Sequence, residues 1–193
     1  MRRRIVLVAA VVLAAGLLLL QAAYTQDKPK PEQYSAVWML TGGARGGSSM
    51  PMDIRINRYT TDEEMKKFAE ILVEGGTERL RRALEKEDVG QVSPVGRVGT
   101  PLAVARKFVN GNKTTIRVAT ARNMSFLELR YSGRSVDYPY TIIQLDLDEN
   151  GKGMGTGIAA AAVRFNKKKN TYEIESLQHG TEYNKLLNVR KEK

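Results

Sequence analysis

From Pro101 to Leu177 the chain repeats one cadence, an alternating apolar stretch followed by a tight turn. This cadence limits the fold more than any other feature. Leu102, Val104, Arg106 and Phe108 alternate with their neighbours over Pro101–Val109, and Ile116, Val118 and Thr120 do so over Lys113–Ala121. Asn110-Gly111-Asn112 between them is a tight hairpin signal, because Asn and Gly tolerate the positive φ that such turns need. Three more strands are predicted over Tyr138–Leu147, Gly153–Phe165 and Thr171–Leu177. Asp148–Lys152, with Asn150-Gly151 supplying positive φ, and Asn166–Asn170 join them as turns. Strands joined by hairpins pair antiparallel.

The first third of the domain adds two strands and the only strong helical signal. Tyr34–Leu40 is aromatic and apolar. Met52, Ile54 and Ile56 alternate with Asp53, Arg55 and Asn57, the period of a half-buried strand. Thr41–Ser49, rich in glycine, connects the two. Thr60 or Thr61 then caps a helix, each with a Glu three residues later. Met65, Phe68, Ala69 and Leu72 form its apolar face. Gly75-Gly76 is expected to end it, and Thr77–Glu87 to form a second helix with Leu80, Ala83 and Leu84 facing inward. Ser125–Arg130 reads as a helical turn and Leu186–Val189 as a last short strand. The expected class is α+β: about seven antiparallel strands, strongly curved if the sheet bends, with a two-helix insertion after the second strand packed on the sheet.

Gly153–Phe165 is unusual among these strands. Gly153, Gly155, Gly157, Ala159 and Ala161 line one face. Small side chains in a strand mark the close approach of something else. Two readings follow: contact with the Met65–Phe68–Leu72 helix, or a cavity for an apolar ligand.

The N-terminus carries a different message. Arg2-Arg3-Arg4 precedes an apolar run from Ile5 to Leu20, and Gln21-Ala22-Ala23 follows. This is the layout of a bacterial secretory signal. As a helix the run spans roughly 24 Å, short for a hydrocarbon core of about 30 Å. Residues 1–23 are therefore a cleaved signal peptide or an uncleaved signal anchor. Residues 24–33 read as a charged, proline-containing spacer and 34–190 as one domain. The chain has no cysteine, which excludes disulfides, thiol catalysis and Cys-ligated metals. Net charge is +10, and loss of a leader with three arginines and no acid leaves +7. That excess favours anionic partners.

TTDEEMKKFAEILVEGGTERLRRAL, VGRVGTPLAVAR and RSVDYPYTIIQLDLDENGKGMG resemble segments of a group of uncharacterised exported bacterial proteins. The resemblance implies export and a single domain, and implies nothing about chemistry.

Candidate site residues are few. Arg79, Arg82 and Lys86 share a helix face that could hold an anionic group, though Glu78, Glu85 and Glu87 interleave with them and favour a salt-paired surface. Arg45 in the glycine-rich loop could close over a ligand, and Arg134 and Asp137 lie in a second loop. Asp146, Asp148 and Asn150 match the first half of a calcium loop, but Gly157 stands where the bidentate Glu belongs, and the flanks read as a hairpin. His179, the only histidine, cannot build a multi-histidine site. No cofactor and no nucleic acid is expected. The function expected is an exported, non-enzymatic periplasmic or envelope domain that binds an anionic envelope component or a small apolar ligand. An envelope hydrolase with an Asp/Glu-based site, or a structural domain held at the membrane by its leader, are the alternatives. Oligomeric state is not readable.

Overall fold

The computed structural model describes residues 30–40, 48–122, 124, 137–177 and 184–192. Among the described residues nine strands run in chain order: β1 (Glu32–Leu40), β2 (Ser48–Ile56), β3 (Gly90–Pro94), β4 (Thr100–Asn110), β5 (Lys113–Thr120), β6 (Tyr140–Leu147), β7 (Lys152–Asn166), β8 (Thr171–Ser176) and β9 (Asn184–Lys191). One helix, α1 (Asp62–Leu84), lies between β2 and β3. All strand pairs are antiparallel.

The sheet closes on itself. Its order is β6-β5-β4-β3-β2-β1-β9-β7, and β7 pairs with β6 again. This corrects the expected curved sheet with a helical pair on one face: the protein is an eight-stranded closed barrel with one extra strand, β8. Closure depends on pairings far apart in sequence. Val37 of β1 stands opposite Leu187 of β9, and Gly155 of β7 stands opposite Leu186 on one edge and Leu145 on the other. β3 was absent from the expected set because its five residues, GQVSP, lie between turn formers and are too few to show a period.

The expected two-helix insertion is likewise one helix. Gly75-Gly76 bends it rather than ending it: Gly76 alone leaves helical geometry, at φ 71° and ψ −175°, a conformation costly for any residue with a Cβ. The kink is tied to the barrel, where Thr77 Oγ1 donates to the Val163 carbonyl at 3.1 Å. The helix start follows the capping rule. Thr61 Oγ1 accepts from Glu64 N–H at 3.2 Å, and Glu64 Oε2 accepts from Thr61 N–H at 2.7 Å. Thr60 has a different role: it is buried, and its Oγ1 accepts from Ala105 N–H at 3.0 Å, anchoring the helix entrance to β4.

Two apolar layers result. Eight strands leave an interior just wide enough for side chains, and Trp38, Tyr34, Met52, Ile54, Ile116 and Leu145 fill it, each nearly fully buried. The second layer lies outside, where Phe68, Leu72, Leu80 and Leu84 of α1 cover Ala103, Ala121, Tyr140 and Ala161. β7 serves both. Gly155, Gly157 and Ala159 belong to the interior, whereas Ala161, Val163 and Phe165 belong to the helix layer. An irregularity opposite Tyr140–Ile142 shifts the register between these sets and exchanges the faces. The glycine face therefore does not press on the Met65–Phe68–Leu72 helix. A Cβ added at Gly157 would lie 2.7 Å from Cζ2 and 2.8 Å from Cη2 of Trp38. The missing side chain is the space that the indole occupies.

Candidate functional site

The sequence-derived candidates that lie among the described residues do not all converge. Arg45, Arg134 and His179, with the leader and Ser125–Arg130, lie outside the described residues. Asp137 is exposed just before β6. On α1, Arg82 Nε meets Glu78 at 3.0 Å, Arg79 is exposed beside Gly75, and Lys86 is exposed past the helix end. The ordering residue of this face is Arg81, which binds Glu78 at 2.8 Å and also Glu85. Hydrogen bonds from Arg81 and Arg82 hold the Glu78 carboxyl down to about 2. Arg81 and Arg82 are thus ion-paired on this face, whereas Arg79 and Lys86 form no ion pair among the described residues.

Asp146 and Asp148 point to different partners. Asp146 accepts from Thr115 Oγ1 at 2.8 Å and from Gln144 Nε2 at 3.0 Å. Asp148 Oδ1 accepts from the N–H groups of Asn150 and Lys152, both at 2.9 Å. An oxygen engaged by two N–H donors faces positive hydrogens, the opposite of a cation cage. Gly151, at φ 70°, makes the turn; Asn150 does not share the positive φ expected of it. Among the described residues no three His, Cys, Asp or Glu side chains gather to hold a metal.

A denser constellation lies where the barrel seam meets the end of β2. Glu32, at the start of β1, accepts from Tyr34 Oη at 2.5 Å, from Tyr59 Oη, from Lys107 Nζ at 3.0 Å and from Lys191 Nζ at 2.9 Å. Four donors thus come from β1, the segment after β2, β4 and β9. Burial alone would raise the Glu32 carboxyl, but the four hydrogen bonds outweigh it and lower it to about 2. Burial and the hydrogen bond to Glu32 push both tyrosine hydroxyls well above their ordinary range. The carboxylate stays ionised and the phenols stay protonated near neutral pH, and the cluster ties β1, β4 and β9 to the segment after β2. Sequence reasoning passed over it by placing Glu32 in the spacer. Extending the period-2 pattern of Trp38, Ala36 and Tyr34 back by one step would have put Glu32 on the same face.

Two concavities share Asn112, Thr114, Leu147 and Asp148. One, of about 560 Å³, opens at the barrel end among Tyr34, Lys107, Asn112, Asp148, Glu149 and Lys191. The other, of about 760 Å³, lies along β5, β6, β7 and β9. Thr115, Met154, Thr156 and Leu187 are among its lining residues, with three basic residues, Lys113, Lys152 and Lys185, and two acidic ones, Asp146 and Asp148. Met154 is 65% exposed there. No protein-family model, curated protein or solved structure matches this chain.

Proposed function

We propose that this protein is an exported, non-enzymatic binding domain of the periplasm or cell envelope, and that it takes an anionic amphiphile on the barrel flank. The observation that carries the reading is the larger concavity. Its volume of about 760 Å³ is in the ordinary range for small-molecule sites. Met154 offers an apolar side chain to solvent at its floor. Lys113, Lys152 and Lys185 are among its lining residues, and none of the three is ion-paired among the described residues. The two carboxylates that also line it, Asp146 and Asp148, are engaged by Thr115 and Gln144 and by the N–H groups of Asn150 and Lys152. An acyl or other apolar body on Met154 and Leu187, with an acidic head among the lysines, matches that distribution. The filled barrel interior argues for the flank as the place where a ligand sits.

The leader supports export, since Arg2–Arg4 and the apolar run Ile5–Leu20 are what the secretion machinery reads. The absence of cysteine is compatible with it, because a core of this size needs no disulfides.

The test is native mass spectrometry of protein purified from its own envelope, followed by titration with phosphatidylglycerol and with phosphatidylcholine of the same chains. The reading expects co-purified anionic lipid or a similar amphiphile, and saturable binding of the anionic lipid only. Lys185→Glu should weaken it about tenfold. Equal binding of both lipids, or of neither, would contradict it.

A further inference from the structure

Methionine carries all the sulfur of this chain, since cysteine is absent. Of the seven methionines all but Met1 lie among the described residues, and the fold protects them unequally. Met52 and Met124 are buried in the interior cluster, and Met50 and Met65 are partly buried against the two apolar layers. Met39 is half-buried on β1. Met154 alone among them is exposed, at 65%. The backbone sets it apart as well. Pairing between β7 and β9 shifts register between Gly153 and Gly155, so Met154 stands where two residues of β9 oppose one of β7. Asn188, one of those two, holds φ 54°. Such a bulge re-aims side chains out of the regular ladder. On its other side Met154 stands opposite Asp146, whose carboxylate is engaged by Thr115 and Gln144. The Met154 thioether lines the flank concavity.

A thioether is a two-electron reductant, and burial shields it from an oxidant in solution. The sulfur attacks the terminal oxygen of a hydroperoxide. A sulfur–oxygen bond forms and the oxygen–oxygen bond breaks. Sulfur gives up two electrons, and the departing oxygen takes the hydroperoxide proton and leaves as an alcohol, or as water where the oxidant is hydrogen peroxide. The product, methionine sulfoxide, is uncharged but polar. It puts a hydrogen-bond acceptor on a floor that had offered an apolar side chain. Lys113, Lys152 and Lys185 line the same concavity as donors, so the new oxygen also competes for the groups that hold an acidic head. We propose that Met154 is a modification site, oxidised by peroxides ahead of the other methionines, and that its sulfoxide loosens the hold of the concavity on its amphiphile. The second half of this inference rests on the binding reading above. The change is reversible, because sulfoxide reductases return the thioether.

Peptide mapping of the full chain after timed exposure to hydrogen peroxide tests the first half without any ligand. Met154 should gain oxygen about tenfold faster than Met39, Met50, Met52, Met65 or Met124. Titration with phosphatidylglycerol before and after exposure tests the second half. Oxidised protein should bind about tenfold more weakly with an unchanged melting temperature, and sulfoxide reductase should restore the affinity. Met154→Gln, with a polar acceptor in a side chain of similar length, should bind as weakly as the oxidised parent without any peroxide. Peroxide should not alter the affinity of Met154→Leu, which has no thioether at this position. Earlier oxidation of another methionine, equal affinity of oxidised and parent protein, or a peroxide effect that persists in Met154→Leu would each overturn the proposal. Failure of the unoxidised parent to bind phosphatidylglycerol would instead refute the amphiphile reading and the regulation with it, while the order of oxidation is decided by the mapping alone.

Discussion

Along β7, Gly155, Gly157 and Ala159 and then Ala161, Val163 and Phe165 share one strand but meet different surroundings. The first set faces the barrel interior, where Trp38 lies against Gly157. The second set faces α1 and ends at exposed Tyr172 on the neighbouring strand. Both halves use small residues, for different reasons. In the interior the glycines make room for a large ring in a barrel with no spare width. On the outside Ala161 lets a helix approach, and the apolar side chains after it grow larger as the helix covering thins. The difference teaches that the interior is a finished core, while the outer surface of the same strands still has apolar area to offer. Binding is accordingly proposed on the flank.

The contrast can be broken most severely at Trp38. Trp38→Ala leaves a void in a closed interior that cannot collapse, and should cost about 3–5 kcal/mol. Chemical denaturation would measure it. Gly157→Leu attacks the same contact from the other side, forcing a branched chain into the indole's space. About 1–3 kcal/mol is expected, or roughly 2–4 °C of melting temperature per kcal/mol for a domain of this size. Combining the two should cost less than their sum, because the second change fills part of the void left by the first. Strict additivity would show that the two residues do not meet.

Smaller effects sharpen the outer half. Thr61→Ala removes the N-cap of α1 and should lower stability by about 1 kcal/mol, with no change at the barrel end. The seam responds to pH. Glu32 is lowered to about 2 in the folded protein from an ordinary value of 4.5. Its stabilisation is fully present above the ordinary value and is lost as pH falls from there toward 2. Glu32→Gln should therefore be less stable than the parent at neutral pH, and the gap should narrow between pH 4.5 and 2. Parallel pH–stability curves would show that the cluster does not depend on the ionised carboxylate.

Much of the strand content was legible because it is local. Alternation through Ile116 and Val118, or through Ile143 and Leu145, needs only near neighbours, and the Thr61–Glu64 pair announces the helix start within four residues. Closure was not legible. Nothing near Val37 signals that Leu187 will lie opposite, and a one-residue irregularity in β7 reverses faces without leaving a sequence mark. The glycine face was visible, but its purpose was not, because Trp38 reaches it from the far side of the chain. Of the candidate site, the basic character and the acids Asp146 and Asp148 were readable, but not that they line one concavity. Lys113, Lys152 and Lys185 belong to three strands that come together once the barrel closes.

The central claim is that the interior is filled and the ligand sits on the flank. Isothermal titration with an anionic amphiphile, applied to Met154→Asp and Gly157→Ala, tests it directly. Met154→Asp places a charge on the floor of the flank concavity and should weaken binding about tenfold while the fold persists. Gly157→Ala crowds Trp38 and should lower stability, leaving affinity within about twofold of the parent. The opposite pattern, with affinity lost in Gly157→Ala and kept in Met154→Asp, would place the ligand inside the barrel and contradict the account.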